Sequence, residues 1–111
     1  MTTFDEYQKA AARTINSGLN NRQVLTHGLF GLASEAGEVT GLFQKELQGH
    51  KLNTDAIMKE LGDVMWMVAE ICTAKGIRLE DVAKLNVEKL MQRYPTGFSA
   101  ERSINRAEGD I

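Results

Sequence analysis

Proline occurs once in this chain, at position 95, so none of the first 94 residues lacks the backbone N–H that a helix interior requires. The Asn-Gly and Asp-Gly pairs that turn hairpins are absent, and no segment alternates apolar and polar residues as a half-buried strand does. What recurs is apolar spacing of three and four. Thr3 and Glu6 form a capping box ahead of Phe4, Tyr7, Ala11 and Ile15, which predicts a helix over residues 4–16 ended by Asn16-Ser17-Gly18. A second helix is expected over 21–48, with Leu25, Leu29, Leu32, Ala36, Val39, Phe43 and Leu47 as its core stripe. Gly49 to Asn53 closes it, and Asn53 or Thr54 caps a third helix. That helix carries Ile57, Leu61, Val64, Val68, Ile71 and Cys72 on one side and stops at Gly76. A fourth runs from 79 to 93 and ends at Tyr94-Pro95, and residues 96–111 read as an extended polar tail.

Helices of this size bury one core only by packing lengthwise, so the expected fold is all-α, an antiparallel four-helix bundle. The 111 residues hold one domain, placed at residues 1–98, with 99–111 as a polar C-terminal tail. A net charge of −2 argues against a general nucleic-acid binder. The lone Cys72 excludes an internal disulfide framework and fits a reducing compartment. No apolar run is long enough to span a bilayer, and the first residues lack a signal-peptide pattern. The expectation is a cytoplasmic domain with neither membrane nor nucleic acid as partner.

Chemistry is concentrated in two acidic pairs. Glu35-Ala-Gly-Glu38 lies in the second helix and Glu60-Leu-Gly-Asp63 in the third. An i, i+3 pair projects both carboxylates from one helix face. At ~100° per residue each pair sits roughly 100–110° around from its core stripe, in the same sense, which is the seam between helices. Glycines accompany both: Gly28 and Gly31 share a face with Glu35, while Gly37 and Gly62 lie inside the pairs. Glycine costs a helix ~1 kcal/mol relative to alanine, so its repeated use points to close backbone approach or to space for a ligand. Counted outward from the connecting loop, the pairs stand within about one turn of the same height. Four converging carboxylates repel one another and must protonate, recruit cations or hold a metal. An all-oxygen set selects a hard ion, Mg²⁺ or Mn²⁺, and neither His27 nor His50 completes the Glu-x-x-His of a di-iron bundle.

The fourth helix adds Asn86, Lys89 and Arg93, spaced so that they point the same way as its apolar residues. Lysine and arginine so placed suit a polyphosphate, one as a point charge and the other as a bidentate fork. Cys72 reads as core filler and His27 as a structural histidine. Lys45 has a surface position or reaches a phosphate. Trp66, on the outer side of the third helix within the apolar run 64–69, is expected to be covered by another subunit.

Gly31-Leu-Ala-Ser-Glu-Ala-Gly-Glu-Val39, Lys59-Glu-Leu-Gly-Asp-Val64 and Asn86-Val-Glu-Lys-Leu-Met-Gln-Arg-Tyr-Pro95 together resemble the MazG-like nucleotide pyrophosphohydrolases of the all-α NTP pyrophosphatase superfamily, over roughly residues 4–98. The resemblance implies Mg²⁺-dependent hydrolysis of nucleoside triphosphates, often non-standard or deoxy ones, to monophosphate and pyrophosphate, a house-cleaning role in the nucleotide pool. It also implies a homodimer or a dimer of dimers, which would complete the bundle. Carried over by motif, Glu35, Glu38, Glu60 and Asp63 are the catalytic and metal-holding residues, and Asn86, Lys89, Arg93 and Tyr94 meet the nucleotide or its phosphates. The competing expectations are a nucleotide- or metal-binding helical module without turnover, and a helical scaffold whose acidic pairs only dress its surface.

Overall fold

In a computed structural model, which describes residues 2–106 and 109–111, the chain is all-helical. Its helices are α1 (Phe4–Ala12), α2 (Asn21–Leu47), α3 (Thr54–Lys75), α4 (Leu79–Arg93) and α5 (Ala100–Ile104). No described helix is long and apolar enough to cross a membrane. The chain divides into two compact units, Met1–Leu79 and Glu80–Ile111.

In the first unit the helix ends are set by side chains. Thr3 Oγ1 accepts from the Glu6 N–H, Asn20 and Gln23 cap α2 reciprocally, and Asn53 Oδ1 accepts from the Asp55 N–H at 2.8 Å. Gly76 closes α3 at φ 68°, in the left-handed region where a Cβ is unwelcome. Helix α1 is shorter than expected. The Thr14 N–H and hydroxyl both donate to the Ala11 carbonyl, and Asn16 Oδ1 accepts from the Gly18 N–H, so residues 13–18 turn rather than continue the helix.

Contacts between α2 and α3 show that they are antiparallel. His27 meets Glu70, Gly31 lies under Met67, and Glu35 meets Asp63, so the partner number falls as the first number rises. The expected stripe of α2 is only partly covered, with Leu25, Leu32 and Val39 half-buried. Val24 and Gly28 are buried, whereas Leu29, Phe43 and Leu47 remain 51%, 45% and 90% exposed. Glycine explains which face lies closest to α3. A Cβ built on Gly28 would stand 2.9 Å from Ile71 Cγ1, and one on Gly31 would collide with the Met67 thioether. The two backbones therefore approach along the glycine face, and the larger residues flank that contact.

Helix α1 packs across α3, with Tyr7 and Ala11 against the core of Ala69, Cys72 and Leu79. Gln8 fixes this arrangement by donating to the Ile77 carbonyl (2.9 Å) and accepting from the Leu79 N–H (2.7 Å). Trp66 is half-buried, and its indole N–H donates to Thr14 Oγ1 at 2.8 Å. The chain's own segment after α1 thus meets the indole that the sequence assigned to a neighbouring subunit.

In the second unit, the tail expected to be extended forms a helix instead. Ser99 caps α5, the Tyr94 and Phe98 rings pack tilted at 46° with centroids 5.3 Å apart, and Asp110 returns to Arg93. These polar residues order by capping and charge pairing, neither of which leaves an apolar period to read.

Candidate active site

Two turns of antiparallel helix bring three carboxylates together. Glu35 on α2 and Glu60 and Asp63 on α3 each offer one oxygen, and the three oxygens lie within 4.8 Å of one another. All three residues are half-buried, while Glu38 is exposed. Partial burial and the neighbouring charges of Asp63, Glu60 and Glu38, in falling order, raise the Glu35 carboxyl above its ordinary range. Among the described residues, no cationic side chain of the first unit forms an ion pair with these three carboxylates.

The donor chemistry fits a small hard cation. Three carboxylate oxygens within 4.8 Å of one another are the hard donors that such an ion takes, and no sulfur or imidazole joins the set. Cys72 is buried in the core, and burial pushes its thiol up. His27 is engaged elsewhere, its Nδ1–H donating to Glu70 Oε2 at 2.6 Å. Glu70 is 4% exposed, and this charge-assisted bond supplies the partner that a buried carboxylate needs.

Space at the cluster differs from space beside it. Nothing lies within 4 Å of a Cβ built on Gly37 or Gly62, the glycines inside the acidic pairs, whereas Gly28 and Gly31 are tightly covered. Tyr7 on α1 comes to the same end of α3. Its hydroxyl donates to the Gly62 carbonyl at 3.5 Å, and burial together with the Asp63 charge raises its pKa.

Within the second unit, Lys89 and Arg93 line a cavity of about 500 Å³ together with Gln92, Arg102, Arg106 and Asp110. Arg93 grips Asp110 through two parallel bonds, Nε to Oδ2 at 2.9 Å and Nη2 to Oδ1 at 2.5 Å. The hydrogen bond from Arg93 holds the Asp110 carboxyl below its ordinary range, and Arg106 and Lys89 act in the same direction. Asn86 is exposed and Tyr94 half-buried against Phe98.

A sequence profile described as the MazG nucleotide pyrophosphohydrolase domain matches residues 24–98, a stretch that contains both acidic pairs and the Asn86–Pro95 segment. The chain belongs to the MazG family. It is also similar to a curated relative, "Gene 37 protein" of Mycobacterium phage L5, at 33% identity over an alignment of 111 residues that covers 92% of this chain and 97% of the relative. No solved structure matches the chain significantly.

Of the acidic residues that the MazG-like motifs single out, three meet and Glu38 stands just outside them, on the exposed side of α2. Tyr7 was read only as part of the apolar spacing of the first helix, and its reach to the Gly62 carbonyl depends on where α1 packs against α3. The His27–Glu70 pair was equally hidden, since nothing local tells that Glu70 faces inward. Arg93 is 11% exposed, and its fork already has an acidic partner in Asp110.

Proposed function

We propose that the protein is a Mg²⁺-dependent nucleoside triphosphate pyrophosphohydrolase, with Mn²⁺ as a substitute, that removes unwanted (d)NTPs as monophosphate and pyrophosphate. The observation that carries this is the meeting of Glu35, Glu60 and Asp63 from two helices in a chain of the MazG family. A hard divalent ion bound there neutralises phosphate charge and makes the attacking water more acidic.

The residues divide the remaining work. Glu35, Glu60 and Asp63 hold the cation. Glu38, next to Glu35 but outside the tight group, is the carboxylate left to take a proton from the attacking water. That water adds its oxygen to phosphorus, the anhydride bond between the α- and β-phosphates breaks, and its electron pair leaves with pyrophosphate. Lys89 and Arg93 steady the charge of the phosphates, and Asn86 and Tyr94 meet the nucleotide. The open space around Gly37 and Gly62 supports the same assignment, since ligands need room where side chains are missing.

Self-association is part of this proposal. Among the described residues the buried apolar core is small, Val24, Met67, Ala69, Cys72, Ala74 and Leu79, and Leu29, Phe30, Leu61 and Met65 are all more than two-fifths exposed. A second copy covering such side chains supplies the apolar burial that one copy lacks.

A panel of (d)NTPs incubated with Mg²⁺, with monophosphate, diphosphate and pyrophosphate resolved, tests the activity. Monophosphate plus pyrophosphate is expected, and Glu38→Gln with Glu60→Gln abolishes turnover while the helical circular dichroism stays intact. Diphosphate plus orthophosphate contradicts the assigned bond. Binding without turnover in the parent leaves a nucleotide-binding module in its place.

A further inference from the structure

The cavity of the second unit carries an unusual balance of charge. Lys89, Arg93, Arg102 and Arg106 line it, and among the described residues Asp110 is the single acidic side chain that does. Its volume of about 500 Å³ lies within the range of small-molecule sites, ~300–1,000 Å³. Two bonds join Asp110 to the Arg93 fork, and a third Arg93 donor reaches the Ile111 carbonyl oxygen at 3.3 Å. Both partners are largely shielded, at 11% and 17% exposure. A guanidinium fork receives a carboxylate and a phosphate in the same bidentate geometry, so the two anions compete for one set of donors.

We propose that Asp110 is an internal competitor for the phosphate site of this cavity: its carboxylate occupies the Arg93 fork, and a pyrophosphate group, free or at the end of a triphosphate chain, enters by displacing it. The idea rests on the phosphate-binding role proposed above for Lys89 and Arg93, and it adds a brake built from the segment after α5. The bound carboxylate lowers apparent affinity by the fraction of molecules in which the fork is taken. Release of Asp110 leaves four basic side chains facing the ligand, so the brake is self-relieving once a polyphosphate arrives. Only ion pairs and hydrogen bonds are exchanged, and no covalent bond changes.

The test is calorimetric titration of inorganic pyrophosphate into the full chain in metal-free buffer with chelator, for the parent, Asp110→Asn and Asp110→Ala. Loss of the competing charge is expected to tighten pyrophosphate binding about three- to tenfold in both variants. Adding Arg93→Gln to Asp110→Asn is expected to remove that gain. Unchanged affinity, or no binding to any of the proteins, overturns the proposal. Weaker binding overturns it too, because Asp110 then holds Arg93 in place for the ligand instead of blocking it. The metal-free titration separates this from the enzymatic assignment: a parent that hydrolyses nothing defeats the latter while the titration still decides the former. Circular dichroism of each variant checks that the helices persist.

Discussion

Gly28→Ala and Gly37→Ala are the same change on the same helix, and their structural settings give them opposite signs. At Gly28 the added methyl carbon would lie 2.9 Å from Ile71 Cγ1 and 3.1 Å from Glu70 Oε2. Neither neighbour retreats easily. Ile71 is β-branched and stiff at χ1 within a helix, and Glu70 is held by His27 at 2.6 Å. Overpacking of this kind costs ~1–3 kcal/mol, and better helix propensity returns up to ~1 kcal/mol, for a net loss of about 1 kcal/mol. At Gly37 nothing lies within 4 Å, so only the propensity gain of up to ~1 kcal/mol remains. The pair should therefore differ by about 2 kcal/mol, or roughly 8 °C in Tm at ~4 °C per kcal/mol for a chain of this size. Gly31→Ala should cost at least as much as Gly28→Ala, because its methyl would collide with the Met67 thioether and stand 2.9 Å from Met67 Cγ, and Met67, 2% exposed, has little room to move. Thermal melts in chelator, followed by circular dichroism, measure the order. If Gly28→Ala melts at or above Gly37→Ala, the close approach of α2 and α3 is not the packing that stabilises this protein.

Three further outcomes follow from the site and the exposed face. Mg²⁺ well above its Kd should stabilise the parent by ~1–3 kcal/mol, lost on chelation, and Glu35→Gln should shrink the response. The pH dependence has a definite sign: Glu35 titrates above its ordinary range, so the folded chain holds that proton more tightly than the unfolded one. In the metal-free protein its contribution therefore favours folding at low pH and is lost as pH rises through the raised value. The Mg²⁺ effect should run the opposite way, strongest above that window and fading below it as protons displace the ion; a Mg²⁺ shift in Tm that grows on acidification contradicts the assignment. Phe30→Asp tests assembly, since the side chain is 75% exposed in one copy and only a partner would register the change. Its sedimentation should move to lighter species than the parent's, and identical profiles remove α2 from any interface.

Helix boundaries were legible where a side chain enforces them. Asn20 with Gln23, Asn53 and Gly76 each leave a local signature, and the structure stops and starts α2 and α3 there. The acidic cluster was legible for a related reason: spacing of three on two antiparallel helices joined by a short loop leaves little freedom in where the carboxylates go. The interior of the α2–α3 pair was not. Counting apolar residues selected a stripe of which Leu25, Leu32 and Val39 are half-buried but Leu29, Phe43 and Leu47 exposed; backbones approach most closely where side chains are smallest, so the glycine face took the closest contact. The Trp66–Thr14 contact was not legible either. The helical phase of Trp66 places it on the outer side of α3, and whether its own chain or another covers that side depends on where α1 and Thr14 lie, information held fifty residues away. The return of Asp110 to Arg93 depends on charge pairing across a turn, which no periodicity records.

Seen as machinery, the glycine-lined contact is a keyway. Met67 seated over Gly31, together with the His27–Glu70 bond, resists any sliding of one rod along the other. A slip of a single residue, ~1.5 Å of axial travel, would carry Glu35 past its two opposite acids and change every oxygen separation in the cluster. The alignment of the three carboxylates is thus guarded at a distance, by groups that stand outside the cluster.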